Sequence, residues 1–345
     1  MTQERLYSYD VLRVVAMAFV VATHSLVVVD VGSVVGLAYH HVALFFFITA
    51  NALFFMLSGK FNLKVRNDRR SLSRFYYNRG KSFLLPIAIV FFIRILYDMA
   101  PYFGSIGHVL KRYAENTLSL FNLTEYWFVF TLFGFLLVAP FLARMTRGMT
   151  RAECYTFVAI GLGFNVIMFS SLNIGVDFSW GYLFSGFALT FCIGGMADRL
   201  VQSGRDLKRW VGASAVSFLI GLSMYFLGWT NGALDISPFY TMTAMGIYLV
   251  VLHIGSRMKP SKIVSFLAQR SFSVYLVHVM VLNLVVAALP SANGVMSIVC
   301  HVVVSIVALI GSVLAATVVD YAFVKPCQKL YDWVGAKLST VSDKV

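Results

Sequence analysis

The sequence predicts an all-α membrane protein, a polytopic bundle of transmembrane helices. Of its 345 residues 59% are hydrophobic and only 12% are charged, about half the charged share of soluble domains, and the mean hydropathy is +0.79. Its apolar runs are long, whereas a membrane β-barrel would show short alternating segments. The basic residues are concentrated in alternate connectors, which is typical of a multi-pass chain.

Ten spans are predicted when hydropathy is averaged over windows of about 19 residues. They cover residues 9–29, 42–58, 82–98, 126–144, 154–172, 180–198, 210–228, 238–256, 272–289 and 295–323. Short connectors that contain Pro and Gly, such as 289–294, indicate antiparallel neighbours. The connector 100–125 is long enough to contact a substrate, and we expect a short amphipathic helix at 106–120 within it.

The positions of Lys and Arg predict that both termini are cytoplasmic. Segment 60–81 holds eight of them, the connectors after the fourth, sixth and eighth spans hold three, four and four, and the tail after 323 holds four. The opposite connectors hold only Lys111 and Arg112, so the positive-inside rule gives an even number of spans. We expect one membrane domain over 1–345, with a basic cytoplasmic tail at 324–345.

The net charge of +13 therefore reflects how the chain is oriented in the membrane, and no nucleic-acid partner is expected. The cysteines, Cys154, Cys192, Cys300 and Cys327, show no paired spacing, which argues against disulfides and against a metal centre. Membrane lipids are the expected surroundings of most of the surface.

Two ionisable residues, Arg13 and His24, lie eleven positions apart in the first span. On an α-helix this spacing is within about 20° of three full turns, so both side chains share one face, roughly 16 Å apart along the axis. Ionisable groups inside a membrane are costly and are therefore functional candidates. The charge count places Arg13 near the cytoplasm and His24 toward the outside, and Asp10 is positioned to pair with Arg13.

Three further stretches accompany this pair: residues 52–59 at the end of the second span, Tyr126-Trp127-Phe128 at the start of the fourth, and 273–278 in the ninth. In this order they resemble membrane acyltransferase family 3, over nearly the whole chain and most closely its small bacterial O-acetyltransferases. The sequence departs from the family pattern where Glu125 replaces a frequent histidine and Ala52 a frequent proline.

The resemblance implies transfer of an acyl group, usually acetyl, from cytoplasmic acyl-CoA to a hydroxyl on the outer side of the cell inner membrane. Acetyl-CoA would be a donor substrate, and no permanently bound cofactor is expected. The acceptor would be a surface or secreted glycan or a lipid-linked sugar. A homodimer is left open.

Residue roles follow from matching the motifs. His24 matches the family histidine, which either acts as general base on the acceptor hydroxyl or carries the acetyl group covalently; we favour the general base. Arg13 would hold the pyrophosphate or pantetheine part of acyl-CoA. Arg79 and Lys81 resemble a basic cluster that adds phosphate contacts, although the positive-inside rule also accounts for both.

Asp10, Glu125, Trp127, Tyr275 and His278 are the supporting or acceptor-side candidates. Trp127 would stack on a sugar or anchor the helix at the interface. Tyr275 and His278 lie one turn apart and would line a cavity or form a packed pair. Two other functions fit the sequence: a flippase or transporter of a lipid-linked sugar or acyl group with His24 as proton relay, or a non-catalytic partner of a polysaccharide synthase.

Overall fold

The computed structural model describes residues 3–64, 69–99, 105–118, 126–176, 186–229, 234, 237–289 and 292–342. These residues form helices joined by short turns, and no strand occurs among them, which confirms the all-α prediction. The α-helices are α1 Gln3–Ser25, α2 Val34–Phe47, α3 Ala50–Asn62, α4 Arg69–Arg79, α5 Leu85–Met99, α6 Ile106–Leu118, α7 Trp127–Arg147, α8 Arg151–Asn173, α9 Gly186–Leu200, α10 Gly204–Phe226, α11 Pro238–Gly255, α12 Lys262–Ala287, α13 Val295–Val319 and α14 Lys325–Ser342.

Within these described ranges, nine helical stretches are long and apolar enough to cross a membrane. They are Tyr7–Val28, Val34–Asn62, Ser71–Tyr97, Trp127–Arg147, Arg151–Asn173, Gly204–Phe226, Pro238–Gly255, Lys262–Ala287 and Val295–Lys337. They match nine of the ten predicted spans. The remaining prediction, 180–198, falls partly outside the described residues, and its described part belongs to the 15-residue helix α9.

Helix α9 packs along α3 in a parallel direction. Lys60 forms an ion pair with Asp198, 138 positions later, and Gly194 meets Met56 at the same separation. A Cβ atom on Gly194 would lie 1.9 Å from the carbonyl oxygen of Met56, and one on Gly59 would lie 1.8 Å from that of Phe191. Glycine therefore permits this close approach. The parallel direction agrees with the predicted order, in which the second and sixth spans run the same way.

Helix α1 contacts α3, α11, α12 and α13, so it lies inside the bundle. It runs parallel to α12, because Asp10 meets Ser265 and, about four turns further along both helices, His24 meets His278. We call the end of the bundle at which α1 begins and α3 and α7 finish the basic end, since Lys60 and Arg144 lie there.

Two π-helical turns, Gly80–Leu84 and Asp320–Val324, join α4 to α5 and α13 to α14. The third and last spans consequently continue as helices beyond the predicted limits at the basic end. Their extensions meet, because a Cβ atom on Gly80 would lie 2.5 Å from the hydroxyl of Tyr331. Turns of this kind often occur at functional sites. The amphipathic helix expected in connector 100–125 is present as α6.

Candidate active site

A cavity of about 260 Å³ lies between α1, α3, α7 and α12 and the π turn after α4. Most of its lining is aromatic or aliphatic. Its polar lining comes from Arg13, Ser58, Asn62, Arg79, Ser82 and Ser271. Two guanidinium groups in one largely apolar cavity suit an elongated ligand that has an anionic part and an uncharged arm.

Arg13 is held in place by its neighbours. Its Nη1 donates to Oδ1 of Asp10 at 2.6 Å, as expected from the sequence, and its guanidinium carbon lies 4.8 Å from the ring centroid of Phe61. The Ser265 hydroxyl donates to the other oxygen of Asp10 at 3.5 Å. With 30% of its side chain exposed, Arg13 keeps part of the guanidinium available to the cavity.

Arg79 and Lys81 have different surroundings. Arg79 ends α4, lines the cavity and packs over the ring of Phe75. Its buried Nε has no hydrogen-bond partner among the residues that the structure describes. Lys81 is instead paired with Asp332 of α14, at the exposed face of the basic end. Of the two basic residues, only Arg79 contributes to the cavity.

His24 lies in the last turn of α1, where its side chain is exposed. Its ring centroid is 4.9 Å from that of His278, which is only 1% exposed. Nδ1 of His278 lies 2.5 Å from the carbonyl oxygen of Tyr275. Because a carbonyl can only accept, Nδ1 carries the proton, and Nε2 of the neutral ring is an acceptor. That Nε2 is buried and has no hydrogen-bond partner in the described part of the chain.

Tyr275 connects the cavity to the histidine pair. It lines the cavity, and its ring centroid lies 5.4 Å from that of His278. The order across the bundle is therefore the two arginines, the cavity, Tyr275, His278 and His24. The fold thus brings together most of the predicted site residues, although they come from separate helices.

The sequence matches a known protein family. A family model for the acyltransferase domain of family 3 matches residues 6–317. The chain belongs to acyltransferase family 3. The matched range contains every cavity-lining residue and both histidines. Neither a curated protein nor a solved structure matches the chain. This family-3 protein is accordingly a membrane acyltransferase.

The remaining predicted residues of the acyltransferase lie at the edge of this site or beyond the described chain. Trp127 begins α7, and its half-buried ring lies 5.0 Å from that of Phe187 on α9, so it packs within the bundle. Glu125 lies outside the described residues, and its predicted acceptor-side role stays a prediction.

His301 of the acyltransferase was not among the predicted site residues, yet it contacts the helix that carries His24. Its Nε2 donates to the carbonyl oxygen of Ala22 at 2.9 Å, and the hydroxyl of Tyr39 donates to its Nδ1 at 2.8 Å. The last carbonyls of a helix lack partners within it, so His301 fixes the final turn of α1. The sequence signal for His301 is its position inside a predicted span, where an ionisable residue is a functional candidate.

Two aromatic residues of the cavity, Phe54 and Phe128, also fall outside the predicted site, although both belong to the motifs. Aromatic residues are abundant in this chain, so periodicity alone cannot separate cavity-lining rings from packing ones. Within the described ranges, no group of His, Cys, Asp and Glu is placed to hold a metal ion. The charged lining of the cavity is cationic and therefore suits an anion.

Proposed function

We propose that this protein is an O-acetyltransferase. It would move an acetyl group from cytoplasmic acetyl-CoA to a hydroxyl of a surface or secreted glycan, or of a lipid-linked sugar, on the outer side of the cell inner membrane. The observation that carries the proposal is the cavity with Arg13 and Arg79 at its basic end and Tyr275 toward the histidine pair.

The donor would enter from the basic end. We assign this end to the cytoplasm because connectors rich in Lys and Arg stay on the cytoplasmic side of a membrane. Arg13 and Arg79 would bind its phosphate oxygens, for which a planar, permanently charged guanidinium is well suited. The Nε of Arg79, which has no hydrogen-bond partner in the described part of the chain, is a donor that such a phosphate would satisfy. The uncharged pantetheine arm would then follow the apolar lining toward Tyr275.

The chemical step needs a base, because a sugar hydroxyl is a poor nucleophile at neutral pH. His24 would remove the hydroxyl proton while the oxygen attacks the carbonyl carbon of the thioester. The carbon–sulfur bond breaks, and the departing thiolate of CoA takes the proton from His24. The products are an O-acetyl ester and free CoA.

His278 would position His24. Its Nδ1–H is committed to the carbonyl of Tyr275, which fixes the orientation of the ring that packs against His24. His301 would add a second constraint through the backbone of Ala22. Fixed geometry matters because a base must lie within hydrogen-bond reach of the proton that it removes.

The test compares glycans and glycolipids from a strain that lacks the gene with those of the parent strain, by mass spectrometry. The purified protein is assayed in parallel for thiol release from acetyl-CoA in the presence of glycolipids extracted from the deletion strain. We expect the deletion to remove one acetyl group from a glycan and the protein to release thiol. Unchanged glycan masses without thiol release would contradict the proposal, and loss of an unmodified glycan from the surface would indicate a flippase.

A further inference from the structure

The π turn between α4 and α5 leaves one main-chain carbonyl without a partner in its own helix. The N–H of Leu85 donates to the carbonyl of Gly80, five residues earlier. A bond of the same kind to the next carbonyl, that of Lys81, would need an N–H on Pro86, and proline has none. An unpaired main-chain carbonyl that is withdrawn from water costs free energy, so a donor from outside the helix is favoured at this position.

Gln328 of α14 supplies that donor. Its Nε2 donates to the carbonyl oxygen of Lys81 at 3.2 Å. Gln328 itself follows the second π turn, Asp320–Val324. Pro326 lies two residues after that turn, as Pro86 does after the first. Each turn therefore forms where a proline interrupts a helix, and the helical extensions at the two turns, α4 and α14, meet at the basic end.

Further contacts hold α14 against α4. The hydroxyl of Tyr77 donates to Oδ1 of Asp332 at 3.1 Å, and the rings of Tyr77 and Tyr331 lie 5.0 Å apart, centroid to centroid. A Cβ atom on Gly335 would lie 2.6 Å from the hydroxyl of Tyr77. The hydrogen bond from Gln328 is therefore one of several contacts that fix α14 on this side of the bundle.

The turn that Gln328 contacts carries part of the cavity wall. Arg79 is the last residue of α4, directly before the turn, and Ser82 and Phe83 within the turn also line the cavity. None of the described residues of α14 lines the cavity itself, and α14 lies beyond residues 6–317, which the family model matches. An element outside the matched range thus supports one wall of the cavity.

We propose that Gln328 is a positioning residue of the donor site, which holds the π turn so that the guanidinium of Arg79 faces the cavity. This inference rests on the proposed function, because it takes acetyl-CoA as the ligand of Arg79. Without the bond from Gln328, the carbonyl of Lys81 loses its partner and the turn can rearrange, which would move Arg79 away from the phosphates. Lys81→Ala removes only a side chain and should keep this support.

The experiment measures kcat and KM for acetyl-CoA by thiol release from purified, full-length protein with the extracted glycolipids. Gln328→Met keeps the length of the side chain and removes the hydrogen-bond donor. We expect KM to rise about three- to tenfold, the factor that one net hydrogen bond corresponds to, with kcat near the wild-type value. Gln269→Met is the matched control, because it makes the same change at an exposed position of α12 outside the cavity lining. It should leave both constants unchanged.

A double-mutant cycle separates positioning from an independent effect. In the Arg79→Ala background, Gln328→Met should raise KM by less than about twofold, because no guanidinium is left to position. An unchanged KM in Gln328→Met, or the same increase with and without Arg79, would overturn the inference and leave the proposed function intact. A fall in kcat alone would also overturn it, since loss of folded protein lowers kcat and not KM. Absence of thiol release by the wild type would overturn both.

Discussion

The rings of His24 and His278 lie 4.9 Å apart, centroid to centroid, although His24 is exposed and His278 is buried. They come from α1 and α12, which run side by side in the same direction. The buried ring is oriented by the Tyr275 carbonyl. In the proposed mechanism, His24 would be the base that meets the acceptor, and His278 would be the partner that positions it.

His278→Asn should lower kcat by about tenfold or more while the KM for acetyl-CoA stays near the wild-type value. The reason is that His278 packs against the proposed base and does not line the donor cavity. Steady-state kinetics on purified protein measure both constants. Equal kcat values in the variant and the wild type would show that the ring contact has no part in catalysis.

Arg79→Ala should raise the KM for acetyl-CoA by about tenfold or more, because a hydrogen bond to a charged group contributes about 1.5–3 kcal/mol. Lys81→Ala is the matched control. Lys81 lies two positions away but pairs with Asp332 outside the cavity, so its removal should change this KM little. If the two variants raise KM equally, the overall positive charge of the basic end, rather than contact with the cavity, governs donor binding.

Gly59→Ala should destabilise the protein by about 1–3 kcal/mol through overpacking, because its Cβ atom would lie 1.8 Å from the carbonyl oxygen of Phe191. Gly134→Ala provides the comparison, since no atom lies within 4 Å of the added carbon there. That change should be neutral or stabilising, because alanine favours a helix more than glycine does. Thermal unfolding in detergent measures both, and equal Tm values would contradict the close packing of α3 on α9.

Asp30, in the turn between α1 and α2, should make the stability of the protein depend on pH. The backbone N–H of Gly294 donates a hydrogen bond to the carboxylate of Asp30 at 2.8 Å. This hydrogen bond is the largest cause that lowers the pKa of Asp30 below its usual value of 3.8, and a hydrogen bond from the backbone N–H of Gly32 lowers the pKa further. Because the pKa of Asp30 is lower in the folded state than in the unfolded state, its ionised form stabilises the protein when the pH is above the unfolded-state pKa. This contribution is lost as the pH falls through the folded-state pKa.

Asp30→Asn should therefore lower Tm at neutral pH, and the gap from the wild type should close as pH falls below about 4. Thermal unfolding across this pH range measures the gap. The opposite trend, a gap that widens on acidification, would be inconsistent with the hydrogen bonds to Asp30.

The sequence predicted the parts of the site that lie within one helix. Arg13, His24 and Asp10 share α1, and helical periodicity is enough to relate them. It also predicted the alternation of spans, because charge segregation is encoded locally in each connector. The separation of Arg79 from Lys81 could not be predicted, since it depends on a π turn that begins between them.

Contacts between distant helices were equally inaccessible. The packing of His24 on His278 requires a particular parallel register of α1 and α12, and no local pattern specifies that register. The same holds for Phe54 and Phe128, whose contact joins two helices across the cavity. The family motifs mark the stretches that carry these residues, but they do not specify which side chains meet.

The most direct test of the account is the rate of acetyl transfer from acetyl-CoA by His24→Ala protein in proteoliposomes. His41→Ala, on α2 and bonded to the carbonyl of Leu37, serves as the histidine control. We expect His24→Ala to lose about 10²–10⁴-fold in rate while Tm and expression stay at wild-type values, and His41→Ala to remain active. Wild-type transfer by well-folded His24→Ala protein would contradict the account.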